Sequence, residues 1–386
     1  MKVAIVHDYL TQRGGAERVV LSMLKAFPDA PVYTALYEQS GTYPEFLDRE
    51  IIPSSLNRLP VLRRRHRLAL PVLATTFSSM RIDADVVVCS SSGWAHGVNT
   101  TAPKVVYCHT PARWIYQAGR YTSGQQHYWR MAAAMSRNSL RRWDLRAAYR
   151  ASAYVANSTE VRRRIADVYG LPATVIHPPA TVEPTGRQQP LHISPDFFLC
   201  VARLLPYKNV EKVVTAFHRL PTERLVVVGS GPEAQRIRAT APSNVTLLQS
   251  VPEAGMRWLY NNCSAVVSAS HEDFGLTPVE ALRFGKPSVV LAWGGHLDTV
   301  MDGRTGILFD APHPASIAAA IRRFRTLLWE RPKLLEHALT FSEERFIRQL
   351  RQKVEQVTNS NFIDLRGATD DRSSETAATT LQRVHR

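Results

Sequence analysis

The chain has only four cysteines in 386 residues, and none stands in a Cys-x-x-Cys pair or at zinc-ligand spacing. That excludes a disulfide framework and a structural zinc site. Cys89, Cys108, Cys200 and Cys263 are expected as reduced core thiols of a cytoplasmic protein. Long hydrophobic runs are missing too. Stretches such as VVVC at 86–89 fall far short of the roughly 20 residues of a membrane-spanning helix. The opening MKVAIVHDYL reaches Asp8 too early for a secretory leader and reads as a buried strand. Acidic residues are under-represented: the net charge is +15, and residues 1–180 hold 23 Lys/Arg against 12 Asp/Glu. Arginines cluster at 63–67, 141–142 and 162–164. Such a field attracts a membrane surface, a diphosphate or nucleic acid. The arginines lack the interleaved aromatics of a recognisable nucleic-acid module, so nucleic acid is not the expected partner. A non-enzymatic, basic nucleic-acid-binding protein is the alternative of a different class.

Short β-branched runs alternate with helical patterns along the whole chain. They lie at 2–7, 32–36, 86–90, 105–109, 154–158 and 174–179, then at 197–202, 225–230, 245–249, 265–270, 288–292 and 306–309. Continuous apolar strands imply burial on both faces, hence parallel sheets covered by helices. Two such series predict an α/β protein of two doubly wound domains. The expected division is a basic domain at 1–180, a proline-rich linker at 181–195, a second domain at 196–341 and a terminal helix at 342–358 that crosses back to the first domain. The polar tail at 359–386 is expected to be disordered.

The stretch HEDFGLTPVE, 271–280, sets two carboxylates around a glycine turn. Thr277 fits an N-cap, Pro278 the first helical position, and Glu280 completes a capping box. Gly285 suits the helix end. Read alone, Glu280 is a capping carboxylate. Glu272 instead follows a buried strand at its C-terminal end, where open α/β sheets bind ligands. The amides of Phe274, Gly275 and Leu276 then form an anion site at a helix start. Arg203 and Lys208 follow the strand at 197–202 and suit the two phosphates of a diphosphate, although in isolation they read as surface charges. VVVGSGPEA matches strand-G-x-G-x-x-A at Gly229, Gly231 and Ala234, but the acid expected about 20 residues on is missing, which argues against an NAD site. In the first half, Gly14 and Gly15 lie between a strand and its helix, and His109 ends another strand. Asp83-Ala84-Asp85 is formally a DxD but precedes its strand, the wrong end for a diphosphate–magnesium site, so no metal is expected.

Together the Glu272-x7-Glu280 spacing, VARLLPYKN, VVVGSGP, GGAERVV and GGHLDTVMDGRTGILF resemble the nucleotide-sugar glycosyltransferases of family 4 over about 1–357. HDYLTQRGGAERVV, FPDAPVYTALY and YCHTPARWIY are most similar to bacterial mannosyltransferases of O-antigen, capsule and exopolysaccharide assembly. The resemblance implies the GT-B fold, two Rossmann-like domains facing across a cleft. It also implies retention of anomeric configuration, with mannose from GDP-mannose as the expected donor and a UDP-sugar or GDP-rhamnose as the alternative. It gives catalytic roles to Glu272, His109, Arg203 and Lys208. Donor contacts fall to Gly14, Gly15, Arg203, Lys208, Gly229, Val251, Glu272, Phe274, Gly275, Leu276 and Glu280. No cofactor is implied, and cations of the protein would neutralise the leaving diphosphate. The acceptor would be a glycan or lipid-linked glycan. The Arg- and Leu-rich segment 56–77 would dock the protein peripherally on the anionic inner face of the plasma membrane.

Overall fold

The computed structural model describes residues 1–116, 127–180 and 182–359. Two parallel sheets organise the chain. The first contains β1 (Val3–His7), β2 (Val32–Thr34), β3 (Ile51–Pro53), β4 (Val86–Ser91), β5 (Lys104–Cys108), β6 (Ala153–Ala156) and β7 (Ala173–Val175), in the order β3-β2-β1-β4-β5-β6-β7. The second contains β8 (Phe197–Val201), β9 (Leu225–Val228), β10 (Val245–Leu248), β11 (Cys263–Ser268), β12 (Ser288–Leu291) and β13 (Gly306–Phe309), in the order β10-β9-β8-β11-β12-β13. Every adjacent pair of the second sheet runs parallel. The order reverses beside β1 in one sheet and beside β8 in the other, the signature of a doubly wound α/β fold.

All twelve strands expected from the β-branched runs form. The thirteenth, β3, is a three-residue edge strand ending in Pro53, too short and too proline-bound to stand out in the sequence. Strand burial explains the rest: β1, β4, β5, β9 and β12 are buried at every position. The four cysteines are free and buried among them. Burial pushes the thiols of Cys89, Cys200 and Cys263 up to about 12, so they stay neutral packing groups.

The chain groups into two compact units, but not at the expected boundaries. Of the described residues, one unit holds 1–108, 127–155 and 347–359; the other holds 109–116, 156–180 and 182–346. The segments around 109–116 and 156–180, expected in a domain spanning 1–180, therefore pack with the second unit. The linker supplies one reason, because it is fastened to that unit. Arg257 Nε donates to Glu183 O at 3.0 Å, and Gln189 N donates to Ala254 O at 3.0 Å. The terminal helix runs over 343–359, with Ser342 Oγ accepting from Arg345 N at 3.2 Å. Arg351 Nε donates to Ala26 O at 2.8 Å, satisfying a carbonyl at the end of the helix Gly15–Ala26. The tail expected to be disordered lies, from residue 360 on, outside the described residues.

Segment 56–77 forms short pieces, with helices at Pro60–Arg64 and Leu70–Ser79. Pro60 and Pro71 each stand in a helical first turn, so the prolines start helices here rather than merely ending one. Leu73 and Phe77 are buried, while Leu59, Val61, Leu68 and Val72 are exposed. Among the described residues no helix is long and apolar enough to cross a membrane.

Candidate active site

In the second unit, the loops after β8 and β11 leave the sheet side by side at its reversal point. Lys208, on the 3₁₀ turn Pro206–Lys208, donates its Nζ to Glu272 Oε1. The lysine side chain is 12% exposed and the glutamate side chain 23%. Burial alone would raise the Glu272 pKa. The Lys208 charge and hydrogen bond outweigh it, helped by His296 and Arg113, and hold the carboxyl at about 2. Two further bonds fix the lysine loop: Ser270 Oγ donates to Lys208 O at 3.2 Å, and Asn209 Nδ2 donates to Ala269 O at 2.9 Å.

The helix after this turn begins earlier than its capping residues suggest. It spans Leu276–Arg283, and its N-cap is Gly275 at φ 85°, with no side-chain cap. Thr277 is thus an interior first-turn residue and not the cap, and Glu280 closes no capping box. The reason lies in the turn itself. Only glycine is at ease at that φ, and a Cβ on Gly275 would sit 2.8 Å from the His296 ring. Starting at Leu276, the helix leaves its first-turn amides without intrahelical partners, next to a turn where a Cβ on Gly275 would lie 3.6 Å from Glu272 Cβ. The Phe274 ring is buried away from it, 5.4 Å from the ring of His177. Only the backbone of Phe274 can serve a ligand. The helix ends as expected, with Gly285 at φ 66° and Lys286 N donating to Ala281 O at 2.9 Å.

Freed from capping, Glu280 is buried and accepts from Tyr260 Oη at 2.6 Å. Asp273, also buried, is gripped by two guanidinia: Arg113 bonds one oxygen, and Arg164 Nη1 reaches the other at 2.5 Å. Arg203 is exposed on the loop after β8, and its guanidinium has no partner among the described residues. The structure therefore joins Lys208 to Glu272 but not to Arg203. Gly229 and Gly231 form the turn after β9. A Cβ at Gly229 would lie 1.9 Å from Ala202 O, so the glycine is needed for close packing beneath the Arg203 loop. Val251 packs at the edge of the core built from β8, β9 and β11. His109 follows β5, half-buried, and its carbonyl accepts from Asn157 Nδ2 at 3.1 Å.

In the first unit, Gly14 is the extended N-cap of the helix Gly15–Ala26. The Glu17 carboxylate lies against Gly14 and, 3.8 Å from His7 Nε2, forms a buried pair with it. Asp83 binds Lys2 Nζ at 2.6 Å and Asp85 accepts from Lys2 N at 2.7 Å, so both acids of the DxD are held at the start of β4. Among the described residues no three His, Cys, Asp or Glu side chains gather as metal ligands.

Residues 13–183 match the family model described as Glycosyltransferase Family 4, and residues 183–334 match Glycosyl transferases group 1. The chain carries two glycosyltransferase domains. Glycogen synthase of Thermus thermophilus is 34% identical over 139 residues, 34% of this chain and 32% of that protein. Alpha-1,3/1,6-mannosyltransferase ALG2 of Dictyostelium discoideum is 40% identical over 67 residues, 17% of this chain and 16% of that protein. The chain thus spans about a third or less of the length of these curated relatives. Among solved structures, Anabaena HepE in complex with UDP-glucose is similar in fold, with a TM-score of 0.69, 18% identity, and coverage of 92% of this chain and 100% of that one. The fold is that of GT-B glycosyltransferases, two Rossmann-like α/β domains.

Within these glycosyltransferase domains, sequence reasoning missed Tyr260, Asp273 with its two arginines, and His296. His296 is fully buried, and burial lowers its pKa against the pull of Glu272. Arg113, Arg164 and His296 lie within stretches singled out in the sequence, but nothing there marks them individually. Because the folded Glu272 carboxyl lies below its ordinary value of 4.5, its stabilising contribution is full above that value. It is lost as pH falls toward 2. In Lys208→Met the Glu272 pKa should move upward, and the part of the acid loss of stability that Glu272 contributes between about 4.5 and 2 should shrink or reverse, as measured by carboxyl NMR and acid denaturation. Tyr260→Phe should cost about 1–3 kcal/mol in thermal stability, since it removes a hydrogen bond to a buried carboxylate.

Proposed function

We propose that this chain is a retaining hexosyltransferase that moves mannose from GDP-mannose to a glycan or lipid-linked glycan. The observation that carries the reading is the Lys208–Glu272 pair beside the amides of Gly275 and Leu276, at the reversal point of the second sheet. This combination suits a ligand that is part hydroxylated ring and part diphosphate. On donor binding, the sugar hydroxyls would take over Glu272, and a phosphate oxygen would take over Lys208. Arg203, exposed on the same loop system, would supply the second cation. The backbone of Phe274, Gly275 and Leu276 would donate to sugar and phosphate. Glu280, oriented by Tyr260, would hold the ribose, with Gly229 and Val251 toward the nucleoside. His109, in the same unit, would line the sugar side of the site.

No separate nucleophile stands in the sequence at a matching place, so front-face attack is the chemistry this reading favours. The anomeric carbon–phosphate oxygen bond breaks and the acceptor oxygen–carbon bond forms on the same face. The departing phosphate oxygen takes the acceptor proton. The protein contributes positioning and charge stabilisation, without a divalent ion. The mannosyl donor is favoured by the sequence likeness to bacterial mannosyltransferases and by the match to ALG2, a mannosyltransferase by name. A UDP-sugar donor is the second reading, favoured by HepE, which was solved with UDP-glucose. The exposed Leu59, Val61, Leu68 and Val72 beside the 63–67 arginines support peripheral docking on an anionic membrane from the cytoplasmic side.

A thermal-shift panel of GDP, UDP, ADP and their sugars, with and without EDTA, tests the donor reading. A guanine nucleotide should raise the melting temperature most, and chelation should not reduce the rise. Glu272→Gln, Arg203→Ala and Lys208→Ala should each lower turnover about 10²-fold or more, the scale of losing a pre-organised polar contact. Wild-type turnover in Arg203→Ala would remove that residue from the diphosphate. Flotation with phosphatidylserine liposomes should show binding that weakens with salt; salt-insensitive or absent binding would end the membrane proposal.

A further inference from the structure

A second hollow lies beside the donor turn, wholly within the second unit. Its volume is about 480 Å³, in the range of sites for small ligands. One wall is the helix Thr159–Tyr169, begun by Ser158, whose Oγ accepts from Val161 N. Glu160, Arg163, Arg164 and Asp167 follow at i, i+3, i+4 and i+7, so one face presents acid, base, base, acid. The opposite wall is Trp293 and Gly294, from the loop after β12.

Two features decide what such a hollow suits. The first is charge. Arg163 donates to Glu160 at 2.9 Å and to Asp167 at 2.6 Å; Arg164 donates to Glu160 at 2.9 Å and to Asp273 at 2.5 Å. Each guanidinium is already met by carboxylates, so no surplus positive charge awaits a phosphate. An apolar occupant would strip water from four charged groups without replacing it. A ring of hydroxyls both donates and accepts, and matches alternating acids and bases beside an aromatic face. Trp293 supplies the aromatic ring, one face of which carries the Arg164 guanidinium 5.3 Å from its centre, leaving its edge and other face for a ligand.

The second feature is location. A Cβ on Gly294 would lie 2.2 Å from Glu272 O, and Gly295 N donates to that same oxygen at 3.1 Å. Trp293 packs edge-on to His271 with ring centres 4.9 Å apart. From the other wall, Arg164 binds Asp273. Both walls are thus anchored directly to residues 271–273, the turn that carries Glu272. Transfer requires the attacking hydroxyl to come within about 3–3.5 Å of the anomeric carbon, so an acceptor must bind next to this turn.

We propose that this hollow receives the acceptor as a neutral, hydroxyl-rich sugar ring, held by Glu160, Arg163 and Asp167 over Trp293. The inference rests on the glycosyltransferase reading above. Its test is saturation-transfer NMR on the full chain with methyl α-mannoside, methyl β-glucoside and methyl β-galactoside, with GDP or UDP present. The same titrations are run on Arg163→Gln and Asp167→Asn, whose exposed side chains can change without loss of core packing. At least one glycoside should saturate the wild type, and each variant should weaken it about tenfold or more while the nucleotide still raises the melting temperature. Unchanged glycoside affinity in both variants would overturn the proposal. So would a wild type that captures nucleotide but none of the three glycosides. A wild type that captures no nucleotide would instead overturn the donor reading, and the inference with it.

Discussion

The pairing of Lys208 with Glu272 is the interaction on which the rest of the site depends. The Lys208 ammonium, reaching over from another loop, holds the Glu272 carboxyl ionised against its burial. The Glu272 pKa of about 2 measures how far the lysine outweighs burial. The pair can form because β8 and β11 are neighbours in a parallel sheet, so both loops leave the same edge. A parallel sheet without a reversal would separate those loops by a crossover helix. The fold therefore brings a cation and an acid together at a point where nothing else must fill the space.

Around that pair the turn 272–276 is held from every side. Arg113 and Arg164 fix Asp273, the Phe274 ring is buried among aromatics, and the His296 ring fits against Gly275. Gly294 and Gly295 pack on the Glu272 carbonyl. On the proposed reading this rigidity matters, because a carboxylate that reads hydroxyls must hold its position when unbound. Glu280 follows the same logic, with Tyr260 oriented on one oxygen. The turn is consequently a fixed feature of the second unit, whatever ligand meets it.

Much of this was legible in the sequence where the signal is local. Continuous β-branched runs marked twelve of thirteen strands, and the glycine end of the helix Leu276–Arg283 stood at Gly285. The position of Glu272 after a buried strand pointed to the sheet edge. Local signals also misled. Thr277, Pro278 and Glu280 spell a capping box, yet the helix is capped two residues earlier because Gly275 can adopt a left-handed φ and the His296 ring leaves no room for a side chain there. What stayed hidden is non-local. Arg113 and Arg164 reach Asp273 across 160 and 109 positions of chain, and no spacing rule foretells that. The grouping of 156–180 with the second unit was hidden for the same reason: it depends on packing, not on composition.

The central claim is that the Lys208–Glu272 pair is divided between the two halves of an activated sugar, its hydroxyls and its diphosphate. A crystal structure of the protein soaked with GDP-mannose or UDP-glucose in the presence of EDTA tests this most directly. The claim predicts a sugar against Glu272 and a phosphate oxygen on Lys208 Nζ, with the bond between the two residues broken. A donor seated elsewhere, or one bound beside an intact Lys208–Glu272 pair, would contradict it.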